Sequence, residues 1–295
     1  MEIYVVWGFL GSGKTTFINY LLSVFLHNKK VVILENESGK ESVDGVLLRS
    51  KDFIVKDMKA GCVCCSLRNE LPLVIQNIRD DLNPDILLVE PSGIASLEDL
   101  MKVPFLKINR IITLVDVANY HILMKLNSAF YKRQFALSPV ILLTKVDLVG
   151  EGRTQDIVNE LTNINPTAYI CTNYHGITTQ EWEDLFNSQT KRFIPFYENV
   201  KATDYKTETI LVKEHVSINK IKELFEVFNQ NSANVVRAKG FVSVTESRIL
   251  KIDYVCGKVD IEEMPGDFEI DSCFISVWWT NTEFSSLSCI MDSYF

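Results

Sequence analysis

The sequence predicts an α/β protein: a mostly parallel sheet covered by helices on both faces, followed by a smaller α+β domain. Three observations carry this expectation. Short β-branched runs alternate with helical patterns over the first 190 residues, the alternation that produces parallel strands joined by helical crossovers. Those runs are apolar throughout rather than alternating, as in strands buried on both faces. Near residue 191 the pattern stops, and a polar stretch holding Pro195 leads into a second set of elements.

In chain order the expected strands of the first domain are 3–7, 30–34, 53–55, 85–89, 111–115, 140–143 and 168–171. A helix over 15–27 places Phe17, Leu21, Leu22 and Phe25 on one apolar face, at the spacing of an amphipathic helix. The first domain is taken as 1–190 and residues 191–207 as a linker without periodicity. The second domain, 208–295, carries an expected strand over 208–215 and an amphipathic helix over 218–229. A strand pair over 235–244 and 248–256, a further strand over 268–279 and a short helix over 283–293 complete it.

The chain has 295 residues and 47% hydrophobic content, enough for a sizeable core. Its formal net charge of −8 argues against a general nucleic-acid binder. No apolar run has bilayer-spanning length, and the N-terminus lacks the pattern of a secretory leader, so no membrane partner is expected. The seven cysteines are odd in number and, outside one cluster, scattered. That usage fits a reduced, cytoplasmic protein better than a disulfide scaffold.

Gly8-Phe9-Leu10-Gly11-Ser12-Gly13-Lys14-Thr15-Thr16 lies between an expected strand and an expected helix, the context of a phosphate-binding loop. Gly8, Gly11 and Gly13 let the backbone turn its N–H groups inward, with Ser12 and Thr16 in the same loop. Lys14 supplies charge to the β and γ phosphates, and Thr15 offers a hydroxyl to Mg²⁺. Thr144-Lys145-Val146-Asp147 ends the strand at 140–143. A carboxylate at 147 accepts from guanine N1–H and its exocyclic amine, whereas adenine leaves it unpaired. The Lys145 stem can pack on the base plane. Glu90 ends the strand at 85–89 and precedes a glycine turn at Gly93, so it points toward the ligand crevice. Asp116 is a weaker case of the same kind.

Cys62, Cys64 and Cys65 follow Gly61. Three thiolates in one turn suit a tetrahedral ion with Zn–S of about 2.3 Å and leave a fourth position open. Such ligands favour Zn²⁺ or Cu⁺, with Co²⁺ also suited. Glu37, in Asn36-Glu37-Ser38-Gly39, is a candidate fourth ligand or Mg²⁺ ligand, and Asp44 lies further along the same loop. The isolated Cys171, Cys256, Cys273 and Cys289 are expected to be core residues.

Together these residues resemble the CobW-type metallochaperone GTPases, relatives of the nickel-insertion GTPases of urease and hydrogenase. The matching pieces are the loop at 8–16, Asn36–Gly39, Gly61–Cys65, Glu90–Gly93 and Thr144–Asp147. Arg237-Ala238-Lys239-Gly240-Phe241 is similar to the family's carboxyl-terminal domain. The resemblance implies a P-loop GTPase domain plus a smaller C-terminal α+β domain. It also implies GTP hydrolysis to GDP and phosphate, and delivery of zinc or cobalt to a client metalloprotein, one in cobalamin metabolism among those open. The implied cofactors are GTP, Mg²⁺, and Zn²⁺ or Co²⁺. A homo-oligomer is left open. Glu90 and Glu37 are the candidates for positioning the attacking water, with Lys14 as the charge-stabilising catalytic residue. Thr144 stands where the guanine motif usually has Asn, as it does in signal-recognition GTPases, and the histidine-rich stretch of many members is absent. A P-loop small-molecule kinase and a metal-sensing GTP-binding interaction protein are the alternatives.

Overall fold

The computed structural model of this chain describes residues 1–36, 54–57, 71–93, 95–103, 106–187, 206–212, 215–230, 235–245, 248–255, 257–266, 268, 270 and 272–279. These fall into two units, one from the described residues up to 187 and one from those after 205.

The first unit is built on a seven-stranded sheet of order β3-β2-β4-β1-β5-β6-β7. Its strands are β1 (Glu2–Gly8), β2 (Val31–Asn36), β3 (Ile54–Asp57), β4 (Ile86–Pro91), β5 (Arg110–Asp116), β6 (Val140–Thr144) and β7 (Tyr169–Cys171). Every neighbouring pair is parallel. β1 sits between β4 and β5, with β2 and β3 on one side and β6 and β7 on the other. The chain therefore changes winding direction beside β1. In such sheets the crevice at the carboxyl ends of the strands at this switch is the place for a ligand.

The described helices of this unit are α1 (Lys14–Val24), α2 (Leu71–Leu82), α3 (Leu97–Met101), α4 (Tyr120–Ala136), α5 (Glu151–Ile164) and α6 (Thr179–Asn187). α1 buries Phe17, Ile18, Leu21 and Leu22 in a cluster with Tyr4, Val6, Ile33, Leu88, Ile112 and Leu142 from the strands and Trp182 and Phe186 from α6. The apolar face expected for this helix holds, but the helix starts one residue earlier and ends at Val24 rather than His27. Each such side chain contributes about 1.5–3 kcal/mol when fully buried, so α1 is a fixed support for the loop that precedes it. α6 starts with a reciprocal cap: Thr178 N and Oγ1 donate to Glu181 (2.8 and 2.7 Å). These bonds hold the Glu181 carboxyl below its usual range.

On the other face Trp7 Nε1 donates to the Ala95 carbonyl (2.8 Å). Several buried polar side chains in this region are paired. Gln134, with no exposed surface, accepts from the first N–H of α3, Leu97 N, at 2.7 Å. Asn165 Nδ2 donates to the carbonyls of Phe135, Ala136 and Ser138 at 3.1, 3.2 and 2.9 Å. α4 is interrupted at Asn127, whose Oδ1 accepts from Phe130 N (3.0 Å) and restarts the helix.

The second unit is a five-stranded antiparallel sheet of order β11-β10-β9-β12-β8 with one described helix, α7 (Ile218–Gln230). Its strands are β8 (Lys206–Val212), β9 (Val235–Thr245), β10 (Arg248–Val255), β11 (Lys258–Glu263) and β12 (Cys273–Trp279). α7 packs Ile221, Leu224, Phe225 and Phe228 into a core with Ile252, Tyr254, Ile275 and Val277. Three expectations are corrected. The strand expected at 208–215 runs 206–212, so it takes in Lys206 and Thr207. The strand expected at 268–279 begins at Cys273. β11 was not anticipated: Lys-Val-Asp-Ile-Glu-Glu is mostly charged because it is an edge strand, exposed except at Ile261, which packs against the core. The helix expected at 283–293 lies outside the described residues. Cys171 and Cys273 are half-buried and pack against the two cores. Among the described residues no helix is long and apolar enough to cross a membrane.

Candidate nucleotide site

β1 ends at Gly8, and the chain turns through Phe9–Gly13 into α1. Gly11 and Gly13 have φ of 76° and 88°, a region open to glycine and strained for other residues. Ser12 N donates to the Phe9 carbonyl (3.0 Å) and closes the turn. Gly13 is the N-cap of α1 and carries no side-chain acceptor for the first-turn N–H groups. Those groups, with the positive end of the helix dipole, face the carboxyl edge of the sheet as an anion cradle.

Lys14 is buried, and its Nζ lies 3.6 Å from Glu90 Oε1. Glu90 is on β4 in direct register with Glu35 on β2. Both carboxylates are buried, at 6% and 3% exposure. Sequence reasoning named Glu90 and Lys14 and missed Glu35. The signal was the same one used for Glu90, an acid at the carboxyl end of an apolar strand. Gly93 closes the turn after β4. A Cβ there would lie 2.5 Å from Leu10 N, 2.8 Å from Phe9 C and 2.9 Å from the Gly8 carbonyl oxygen. The turn from β4 is thus seated directly on the phosphate loop, with room only for glycine.

Beside the loop is a cavity of about 300 Å³ whose lining includes Gly13, Thr16, Thr144, Lys145, Asp147 and the run Thr172–His175. One wall is the start of α1, one is the end of β6, and the third follows β7. Thr144 Oγ1 donates to the Ser12 carbonyl (2.9 Å), so the residue standing in place of Asn joins the cavity to the phosphate loop. Lys145 adopts the left-handed conformation (φ 58°), which costs about 1–2 kcal/mol for a residue with a Cβ. Asp147 follows in a short 3₁₀ turn, exposed to the cavity.

The wall at Thr172–His175 was not anticipated, although it begins at the carboxyl end of an expected strand. It is braced from α1: the Tyr20 ring packs against Tyr174 and His175 at 5.4 and 4.6 Å, and Tyr20 Oη donates to the Tyr174 carbonyl (3.2 Å). Burial pushes the thiol of Cys171, at the end of β7, above its usual value.

The structure brings together Gly8, Gly11, Ser12, Gly13, Lys14, Thr15, Thr16, Thr144, Lys145, Asp147 and Glu90 at one edge of one sheet. Glu37, Asp44, Cys62, Cys64 and Cys65 lie outside the described residues.

Residues 2–172 match the model of the CobW/HypB/UreG nucleotide-binding domain. The chain belongs to this family. Among its CobW/HypB/UreG relatives is the zinc chaperone YjiA of Escherichia coli K12. That protein is 31% identical over 190 residues, covering 60% of this chain and 58% of YjiA. The zinc-regulated GTPase metalloprotein activator 1 of Dictyostelium discoideum is 27% identical over 214 residues, covering 57% of this chain and 44% of the relative. The chain spans about half the length of the curated relatives it matches. Among solved structures, Zn(II)-bound YjiA GTPase from E. coli aligns over 100% of this chain and 99% of its own, with TM-score 0.45 and 19% identity.

Proposed function

We propose that this chain is a GTP-hydrolysing metallochaperone that carries zinc or cobalt on Cys62, Cys64 and Cys65 and releases it to a client metalloprotein. The observation that carries the nucleotide half is the junction of an anion cradle with a cavity edged by Asp147, tied together by the Thr144–Ser12 hydrogen bond. Guanine offers Asp147 two donors, N1–H and the exocyclic amine, where adenine offers an acceptor at N1. Family membership and relatives named zinc chaperones support the metal half and make zinc the first cargo to test.

In this reading the loop N–H groups and Lys14 hold the β and γ phosphates. Water attacks the γ phosphorus, the bond to the β–γ bridging oxygen breaks, and GDP and phosphate leave. Lys14 stabilises the charge that gathers on the bridge. Thr15 would hold Mg²⁺ through its hydroxyl, with Glu35 and Glu90 as further oxygen donors, a hard donor set that suits this ion. When bound, Mg²⁺ supplies positive charge against the β and γ phosphates. Glu90, beside Lys14, and Glu37 are the candidates for orienting the water. Glu37 also serves as the candidate fourth ligand for the cargo metal.

The test is titration of the reduced protein with Zn²⁺ and with Co²⁺ in the presence of GTP, of GDP and of neither. Affinity that changes with the nucleotide is expected, together with loss of tight binding when Cys62, Cys64 and Cys65 are all changed to Ala. Identical affinities in all three states would remove the coupling. Unchanged binding by the triple variant would remove the thiolate site.

A further inference from the structure

Asp116 closes β5, opposite Thr144 in the β5–β6 register. It is buried at 3% exposure and takes four donors: Ala118 N (2.9 Å), Asn119 N (3.2 Å), Asn119 Nδ2 (2.8 Å) and Lys145 Nζ (2.9 Å). The first three hold the turn into α4. The fourth reaches across to a different strand end, to the residue whose left-handed backbone begins the turn carrying Asp147. Lys145 and Asp147 both line the cavity.

We propose that Asp116 is a positioning residue for base recognition: its buried carboxylate anchors the Lys145 ammonium and thereby sets Asp147 against the Watson–Crick edge of a guanine. The proposal rests on the guanine reading above. A left-handed non-glycine residue stays in place only where its surroundings fix it, and this ion pair is a fixed point on the Lys145 side chain. It also draws the ammonium toward the sheet, so that the aliphatic stem rather than the charge can face the base. Asp116 touches no nucleotide in this arrangement and acts through Lys145.

The experiment measures displacement of a fluorescent GDP analogue by GDP, IDP and ADP. Hypoxanthine lacks the exocyclic amine, so the GDP/IDP ratio reports how well Asp147 is placed. In Asp116→Asn, Oδ1 still accepts from the backbone N–H groups of Ala118 and Asn119, while the charge facing Lys145 is lost together with the acceptor for Asn119 Nδ2. This variant is expected to lose about tenfold in the GDP/IDP ratio, with ADP binding unchanged. Lys145→Met keeps a flexible aliphatic stem and the Asp116 turn, and it should show the same loss. The double variant should be no worse than either single one, since both remove one interaction. A GDP/IDP ratio unchanged in Lys145→Met, or a double variant whose losses multiply, overturns the proposal. So does an equal fall for all three nucleotides in Asp116→Asn, which marks a structural role only. A wild-type protein that does not prefer GDP to ADP overturns the guanine reading itself, whereas preference kept intact in Asp116→Asn overturns only the role given to Asp116.

Discussion

The two sheets of this chain handle charge in opposite ways. In the parallel sheet the strand interiors are largely apolar, and the buried charges gather at one edge: Glu35, Glu90 and Asp116 at strand ends, with Lys14 at the start of α1. In the antiparallel sheet charges run along the strands and pair across them. Arg237 Nη2 donates to Asp253 (2.9 Å), Arg248 to Glu263 (2.9 Å) and Lys251 to Glu262 (2.9 Å). A parallel sheet aligns all its strand ends, so charges placed there converge on a ligand. An antiparallel sheet alternates them, and its charges neutralise one another locally. Charge in the first unit therefore reads as chemistry, and charge in the second reads as strand pairing.

The sharpest break of this contrast is Gly93→Ala. The added methyl meets three backbone atoms of the phosphate loop at 2.5–2.9 Å, none of which can swing aside as a flexible side chain would. The loop must shift or the turn must open, and overpacking of this kind costs about 1–3 kcal/mol or more. The expected outcome is a fall of about 100-fold or more in GTP affinity measured by calorimetry, with the circular dichroism of the protein retained. Near-normal affinity would show that the contact between the β4 turn and the loop does not shape the site.

Arg237→Ala examines the other side. Arg237 is buried, its partner Asp253 is about a third exposed, and removal leaves that carboxylate to water rather than stranded. A cost of about 1–3 kcal/mol is expected, discounted from a fully buried pair, seen as a lower urea midpoint. Guanine nucleotide affinity should stay within twofold. A large loss of nucleotide affinity would mean that charge in the second unit serves the site as well, and the contrast would fall.

How much of this was legible in the sequence follows the same divide. The parallel strands and the phosphate loop are local patterns, since uninterrupted apolar runs and closely spaced glycines need no knowledge of neighbours. The placement of Glu90 and Asp147 was legible because a parallel sheet sets its strand ends along one edge. Glu35 is passed over because the expected strand stops at Leu34, one residue short of it, whereas β2 runs to Asn36 and makes Glu35 a strand-end acid like Glu90. The wall at Thr172–His175 is made of ordinary loop residues and becomes a wall only when β7 pairs with β6. β11 was hidden because edge exposure favours the charged residues that also mark loops. The cysteine cluster, the most distinctive element of the sequence, lies outside the described residues, so its function rests on the family and its chemistry.

The smallest effect expected is at Thr144, which stands, in the proposed guanine reading, where that motif usually has Asn. The hydroxyl donates to the Ser12 carbonyl at 2.9 Å and lies 3.4 Å from the Val115 carbonyl. Thr144 is buried at 8% exposure, so Thr144→Val keeps the shape and leaves Ser12 O without that donor. A buried hydrogen bond of this kind contributes about 0.5–1.5 kcal/mol, which predicts a loss of roughly two- to tenfold in GDP affinity, expressed mainly as faster release in stopped flow. Thr144→Asn should restore the donor, since its amide can reach toward the same carbonyl. If Thr144→Val releases GDP at the wild-type rate, the phosphate loop and the cavity are held together by the sheet alone. If it weakens GDP and ADP equally, the bond supports the loop and contributes nothing to choosing the base. Weaker GDP binding with ADP unchanged is the outcome that makes this one hydroxyl the link between the two halves of the site.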